Sequence, residues 1–372
     1  MKITEDVRFI GVSDRNLDLF EGQYEVPDGM AYNSYVILDE KIAVFDTVDK
    51  KFGDEWLDNL KNELNGRTPD YLVVLHMEPD HSANIAKFAG VYKNAKIVSS
   101  AAAFKMMKAY FGDEFADRRV VVKEGDKLEL GKHELTFVGA PMVHWPEVIV
   151  AYESGEKLLF SADAFGKFGA FDVKADWACE ARRYYFGIVG KYGVQAQNLL
   201  KKAAALDIEK ILPLHGPLLT ENLGYYLDLY NTWSSYGVES EGVTIAYTSV
   251  YGHTEKAGVK VAVHDLARCD ESEAVEDAFR YGKLVLATTT YNASIFPFMQ
   301  NFINALTERN YKNRRIGLIE NGSWAPTAAK IMRAAFENSE NIEFCPTTVK
   351  IVGAVSEENE EQIRSLAKEI IG

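Results

Sequence analysis

Leu75-His76-Met77-Glu78-Pro79-Asp80-His81-Ser82 places two imidazoles and two carboxylates within six residues. Ahead of it, Tyr71-Leu72-Val73-Val74-Leu75 is an apolar, β-branched run that reads as a buried strand. Pro79 cannot continue a central strand, so the four polar side chains are expected on a loop at the strand end. A lone histidine there would be unremarkable in a core or on a surface. Four such groups together are costly to bury unless a metal compensates their charge.

Working outward, three more polar residues follow apolar, strand-like runs. His144 follows Leu135 to Val143, Asp163 follows Lys157 to Ala162, and His215 follows Lys210 to Leu214. Strand ends are where sheet proteins place their sites. Four of the seven histidines are thereby used, and His133, His253 and His264 are left over.

The set His76-x-Glu78-x-Asp80-His81, His144, Asp163 and His215 resembles the metal ligands of the flavodiiron proteins. The wider β-lactamase-like hydrolases carry a histidine at the position of Glu78 and usually bind zinc. A carboxylate there makes the site harder and more anionic, which suits iron. The resemblance implies that His76, Glu78 and His144 hold one iron and Asp80, His81 and His215 the other. Asp163 would bridge them, leaving an open position at each iron for a small diatomic.

The 372 residues suggest at least two domains. A hydrophobic fraction of 47% and a charged fraction of 26% are those of a globular protein. The net charge of −14 argues against nucleic acid and anionic membranes as partners. Cys179, Cys269 and Cys345 are scattered, so neither a rubredoxin-type iron site nor a disulfide framework is expected. Met1 to Asp6 does not read as a signal peptide, and no apolar run approaches the ~20 residues of a membrane helix. A cytoplasmic protein is the expectation.

Along the chain, Tyr35–Leu38 and Lys41–Asp46 read as strands and Phe52–Leu64 as a helix. A strand at 97–100 and a helix at 101–111 follow, then strands at 120–122, 128–130 and 135–138. A long helical region, 178–205, is expected to break near Gly190. This mixture predicts an αββα sandwich from residue 1 to about 235, and the resemblance implies a metallo-β-lactamase-like diiron domain over 1–240. Tyr236 to Gly242, with two glycines and two acids, reads as a short linker.

From 243 to 372 the pattern becomes that of a doubly wound parallel sheet. Val243–Tyr247, Lys283–Ala287 and Arg315–Ile319 read as strands, each ending in a polar, aromatic-bearing loop. Such loops converge at the carboxyl edge of the sheet, and a strand–loop–helix start can cradle phosphate. This half resembles flavodoxin. The resemblance implies an FMN site, with Ser249, Val250, Tyr251, Gly252, His253 and Thr254 as the phosphate loop. Thr289, Thr290, Tyr291, Asn292, Asn321, Gly322, Ser323, Trp324 and Ala325 would form the loops flanking the ring. Tyr251 stands where a small hydroxyl residue is common, so phosphate binding leans on Ser249, Thr254 and backbone donors. The chain ends just after a helix, without an appended rubredoxin or flavin-reductase module, as in the minimal two-domain form.

The implied activity is reduction of O₂ to water or of NO to N₂O at a diiron centre refilled by FMN. Electrons would come from an external donor such as rubredoxin or a reduced flavin-type coenzyme. Tyr184, Tyr185, Trp145 and Phe165 lie close in sequence to the ligands and could line a dry pocket. A head-to-tail homodimer is expected, the flavin of one subunit facing the diiron site of the other. Two readings from other classes stand beside this one: a dinuclear-zinc hydrolase, and a flavodoxin-type electron carrier with an inert N-terminal partner. One oddity remains in the first crossover of the second half. If Val259–Val263 is the second strand, Glu255 to Gly258 rise only about 6 Å as a helix. The strand to be retraced spans roughly 16 Å. The expectation is a break between Ala257 and Gly258, with a helix missing there.

Overall fold

The computed structural model describes residues 1–173, 176–248, 260–322 and 325–372. They form two compact units, Met1–Tyr185 with Val194–Asn231, and Phe186–Gly193 with Thr232–Gly372.

The first unit holds two mixed sheets. One orders its six strands Val7–Phe9, Tyr35–Leu38, Ile42–Phe45, Tyr71–Val73, Lys96–Ser99 and Arg119–Val121. The other orders five, Lys127–Glu129, Glu134–Gly139, Ile149–Glu153, Leu158–Phe160 and Lys210–Leu212. Ile42 to Phe45 are buried at every position, as a central strand covered on both faces requires. Phe45 of one sheet stacks on Phe160 of the other, centroids 3.9 Å apart and planes 4° from parallel. This is the β-lactamase-like sandwich that the sequence predicts.

The second unit is a parallel sheet. In chain order its strands are Ser240–Tyr247, Val261–Asp265, Tyr281–Tyr291, Arg314–Asn321 and Ile342–Ile351. Val261–Asp265 lies outside Ser240–Tyr247, giving the flavodoxin-like order 2-1-3-4-5. Val243, Val285, Val349, Leu366 and Ile370 form its core. Arg314 is buried against the turn that precedes the first strand. Its guanidinium donates to the carbonyls of Tyr236, Gly237 and Phe279 at 3.0, 3.0 and 2.6 Å.

Three local expectations need correction. Asp80 and His81 are not on a loop: Pro79–Ser82 is a single helical turn. Proline fits its first position, where the missing N–H has no partner to lose. The strand expected to end at Ala287 continues to Tyr291 and turns back through Ser294–Ile295. The second strand of the parallel sheet is Val261–Asp265, two positions later than expected. It pairs directly with Ser240–Tyr247 in parallel register. The supposed break between Ala257 and Gly258 lies outside the described residues.

Candidate metal centre

Each ligand-type side chain is delivered by the end of a strand. After Tyr71–Val73 the chain stays buried through Val74 and Leu75, and His76 follows at once. The Asp46 carboxylate anchors this exit, accepting from the N–H of Leu75 at 2.8 Å and of His76 at 3.2 Å. Glu78 caps the one-turn helix, and Asp80 and His81 project from it. His144 follows the Glu134–Gly139 strand, Asp163 follows Leu158–Phe160 and His215 follows Lys210–Leu212. Asp46, Met142, Ala162 and Phe165 all hold a positive φ. Non-glycine residues rarely do so, and such conformations gather at sites the surrounding fold over-determines.

The seven side chains fall into two sets. Donor atoms of His76, Glu78, His144 and Asp163 lie within 4.8 Å of one another, and so do those of Asp80, His81 and His215. Asp163 turns one oxygen to each. Its Oδ2 lies 3.1 Å from His144 Nε2 and 3.6 Å from His76 Nε2. Its Oδ1 lies 3.3 Å from His81 Nε2 and 3.9 Å from His215 Nε2. Glu78 Oε2 lies 3.2 Å from His76 Nε2 and 3.0 Å from His144 Nε2.

Outer partners fix the rings. His76 Nδ1 donates to Glu147 Oε1 at 2.8 Å, and the same oxygen accepts from Met77 N–H. His215 Nδ1 donates to the carbonyl of Ala31 at 2.7 Å, so its Nε2 presents a lone pair inward. That lone pair faces His81 Nε2 across 3.0 Å. Both carboxylate oxygens of Asp80 are buried without a hydrogen-bond partner. Inward lone pairs and unsatisfied oxygens are the donor set of a cation, and nitrogen and oxygen donors of this kind suit iron.

Burial and the neighbouring carboxylates pull the ring pKa values in opposite directions. Burial alone would depress His81, but the Asp80 and Asp163 carboxylates hold it up at about 9. His144 is likewise pushed down by burial and carried up to about 9 by Asp163 and Glu78. Burial and the neighbouring His81 charge lower His215 to about 4. Burial raises Asp80 to about 7. Burial and the Glu78 charge beside it raise Glu21 to about 7.

Aromatic rings surround the set. Tyr184 and Phe20 approach His215 with centroids 5.5 Å away, and Tyr32 at 6.0 Å. Trp145 stands edge-on to His76 at 5.3 Å. The hydroxyl of Tyr184 is buried without a hydrogen-bond partner. Of the other aromatics expected here, Phe165 and Tyr185 pack on Tyr230, at 4.2 and 5.2 Å. Asp46, Glu147, Glu21, Phe20 and Tyr32 carry no signal in the sequence that would place them at this site. Phe20-Glu21-Gly22 lies in a hairpin far from the motif in sequence, and Glu147 reads as an ordinary surface acid. Of the spare histidines, His133 is engaged by Asp6 and Glu153, at 3.3 and 3.1 Å.

Comparison with known proteins bears on this geometry. The fold superposes on rubredoxin oxygen:oxidoreductase from Desulfovibrio gigas with a TM-score of 0.91 and 25% identity, covering 100% of this chain and 97% of that one. It superposes on the flavodiiron protein from Giardia intestinalis with a TM-score of 0.88 and 23% identity, covering 99% and 95%. Residues 30–216, half of the chain, match the family described as ODP family beta lactamase. The chain belongs to that family and is a flavodiiron protein. This flavodiiron chain is 31% identical to a putative diflavin flavoprotein A 2 of Nostoc sp. over 305 residues, 77% of this chain and 52% of that protein. It is 26% identical to the anaerobic nitric oxide reductase flavorubredoxin of Escherichia coli over 366 residues, 91% and 76% respectively. The chain thus spans about half the length of the diflavin relative.

In the flavodiiron chain the described residues among those expected around the flavin ring gather at the carboxyl ends of two adjacent strands. Thr289 pairs with Asn321 across the sheet, and its hydroxyl lies 3.3 Å from the Asn321 carbonyl. Thr290 Oγ1 accepts from the N–H of Thr327 and of Ala328, at the start of the Ala328–Ala335 helix. Tyr291 is exposed at the edge. Asn292 and Ala293, both with positive φ, make the two-residue turn. Gly322 closes the next strand, its N–H bonded to the Ile351 carbonyl, and Ala325 is exposed. Ser249, Val250, Tyr251, Gly252, His253, Thr254, Ser323 and Trp324 lie outside the described residues. No helix among the described residues is long and apolar enough to cross a membrane.

Proposed function

We propose that the chain is an oxidoreductase that reduces O₂ to water, NO to N₂O, or both, at a non-haem diiron centre served by FMN. The observation that carries this reading is Asp163, with one carboxylate oxygen turned to each of two ligand sets. His76, Glu78 and His144 would hold one iron and Asp80, His81 and His215 the other, with Asp163 between them. An iron pair held there would supply redox chemistry toward a diatomic, with FMN as the electron reservoir. The residues expected around the flavin and the division into 1–240 and 243–372 belong to the same reading. So do a cytoplasmic location, a head-to-tail homodimer, and an external donor such as rubredoxin or a reduced flavin-type coenzyme.

The chain's own side chains would do the rest. Glu147 and the Ala31 carbonyl hold His76 and His215 in the tautomers that aim Nε2 inward. The buried Tyr184 hydroxyl is a free donor for the oxygen of a bound diatomic. Phe20, Tyr32 and Trp145 would keep bulk water from the ligand rings. Burial and the Glu78 carboxylate raise the Glu21 carboxyl to about 7, which lets it exchange protons beside Glu78 near neutral pH.

Metal and flavin analysis, followed by anaerobic reduction and stopped-flow mixing with O₂ or NO, tests the proposal. The expected protein is yellow, binds about two irons, and is reoxidised within the mixing experiment by at least one gas. A colourless zinc protein would support the hydrolase instead, and a yellow metal-free one the electron carrier.

A further inference from the structure

Outside the metal centre, two histidines lie among the described residues. His264, on the edge strand Val261–Asp265, lies 2.9 Å from one carboxylate, Asp277 of the helix Glu271–Arg280. His133 meets three. Its side chain is 1% exposed, with Nε2 3.3 Å from Asp6 Oδ2 and Nδ1 3.1 Å from Glu153 Oε1. Donor atoms of Asp6, His133 and Glu156 all lie within 4.8 Å of one another. Ligand atoms about 2 Å from an ion stand up to ~4 Å apart, so small side-chain rotations close this set around one cation.

Three separate segments build it. Asp6 precedes the strand Val7–Phe9 of the first sheet. His133 lies in the turn between Lys127–Glu129 and Glu134–Gly139, and Glu156 in the turn between Ile149–Glu153 and Leu158–Phe160, all of the second sheet. Asp39 Oδ2 accepts from the His133 N–H at 2.7 Å. Glu153 is fully buried, and its oxygens accept from the N–H of Gly155 at 2.8 Å and of Glu156 at 2.7 Å. It sets the turn that carries Glu156. His133 Nδ1 is buried without a hydrogen-bond partner, since its approach to Glu153 is misaligned. A buried imidazole among three carboxylates calls for positive charge. The place is distinct from the centre already described. His133 precedes the strand Glu134–Gly139 and His144 follows it, just as Glu156 precedes Leu158–Phe160 and Asp163 follows it. Six strand residues span roughly 20 Å, so the two sites lie at opposite ends of one sheet.

We propose that Asp6, His133 and Glu156 bind a divalent transition-metal ion, zinc or one like it, which clamps the first strand to the second sheet. One imidazole and two carboxylates, with water completing the shell, suit such an ion over magnesium, which prefers oxygen alone and gives up its water reluctantly. On binding, the ring releases any proton it holds to solvent, and the exposed Lys132 ammonium releases Asp6, with which it pairs. Thr4 Oγ1 donates to Glu156 Oε2 at 2.5 Å and orients that carboxylate.

The full-length protein tests this. Wild type and His133→Gln are incubated with excess zinc, desalted and analysed for bound metal. Whatever number of ions the buried centre retains, wild type should hold one zinc more than the variant. Asp6→Asn alters a partly exposed group and leaves the buried ring in place. It should weaken zinc binding roughly tenfold or more in competition with a chromophoric chelator. Zinc should raise the melting temperature of wild type more than that of either variant. Equal zinc content in wild type and His133→Gln would overturn the proposal. So would zinc that excess magnesium displaces, the mark of an adventitious ion only. Should His133→Gln unfold, Asp6→Asn decides, and an affinity equal to that of wild type would overturn the proposal.

Discussion

At Glu78 a single carboxylate separates two chemistries. Its Oε2 lies within 3.2 Å of both His76 and His144. An imidazole there would offer a softer nitrogen. Glu78→His is therefore expected to shift metal preference from iron toward zinc and to abolish O₂ and NO reduction. Two irons and undiminished turnover in that variant would remove Glu78 from the ligand set. Glu147 acts one step back, holding His76 Nδ1 from a fully buried position. Glu147→Ala is expected to weaken iron binding by about 10–100-fold, measured by competition with a chelator. Protons give a third handle. His76, His81 and His144 are all raised by surrounding carboxylates, overriding a burial that alone would lower them. Metal binding requires neutral rings and ionised carboxylates, so ferrous loading at neutral pH should release about three protons from the rings and part of a fourth from Asp80, raised to about 7, into a weakly buffered solution. Release near zero would show that these rings are already neutral. The four polar groups of the motif were legible as a candidate metal set because they are costly to bury without a cation. His144, Asp163 and His215 were legible because each follows a strand-like run, and the grouping of the seven as ligands came from the family resemblance. Glu147 and Asp46 were not legible, since a lone acid carries no sign of what it will hold.

Elements were legible where they bury apolar faces and less so where they end. The helices Gly53–Leu64 and Ala101–Phe111 lie where the apolar spacing places them. The long helical region does change character after Tyr184, through a π-turn at Tyr185–Val189 and a 3₁₀ turn at Gly190–Tyr192. The strand ending at Tyr291 ran past its apolar stretch because Ser294–Ile295 supplies a partner that polar threonines do not advertise. Pro79 misled in the same way, since it bars a strand equally well whether a loop or a helical turn follows. The His264–Asp277 link ties the edge strand to its helix and makes a prediction about pH. Burial would lower His264, but Asp277 and Cys269 raise it to about 9, above the unfolded value of about 6.5. Its stabilisation is therefore complete below about pH 6.5 and is lost as pH rises through 9. The melting-temperature gap between wild type and His264→Gln should be largest in mild acid and close by pH 10. A gap that widens with pH would contradict the pairing.

For the whole molecule, an αββα sandwich followed by a doubly wound sheet could be read from the chain because hydrophobic runs and glycine-bearing turns change pattern between the halves. The proposed head-to-tail dimer is tested by sedimentation with turnover: an active monomer would remove it. His215, the last of the expected ligands, is secured by the first strands. His215 Nδ1 reaches the Ala31 carbonyl across 184 positions, and Asn33 Nδ2 holds the carbonyls of Pro213 and Gly216 across 180 and 183. Tyr35 donates to the same Pro213 carbonyl at 2.5 Å. On the ribosome, therefore, residues 31–35 wait for most of the first unit to be made before their partners exist. A nascent chain stopped short of His215 cannot offer the complete set of expected donors, whatever iron the cell supplies. Closures of this span are slow, so in refolding the tryptophan signal of collapse should precede iron uptake.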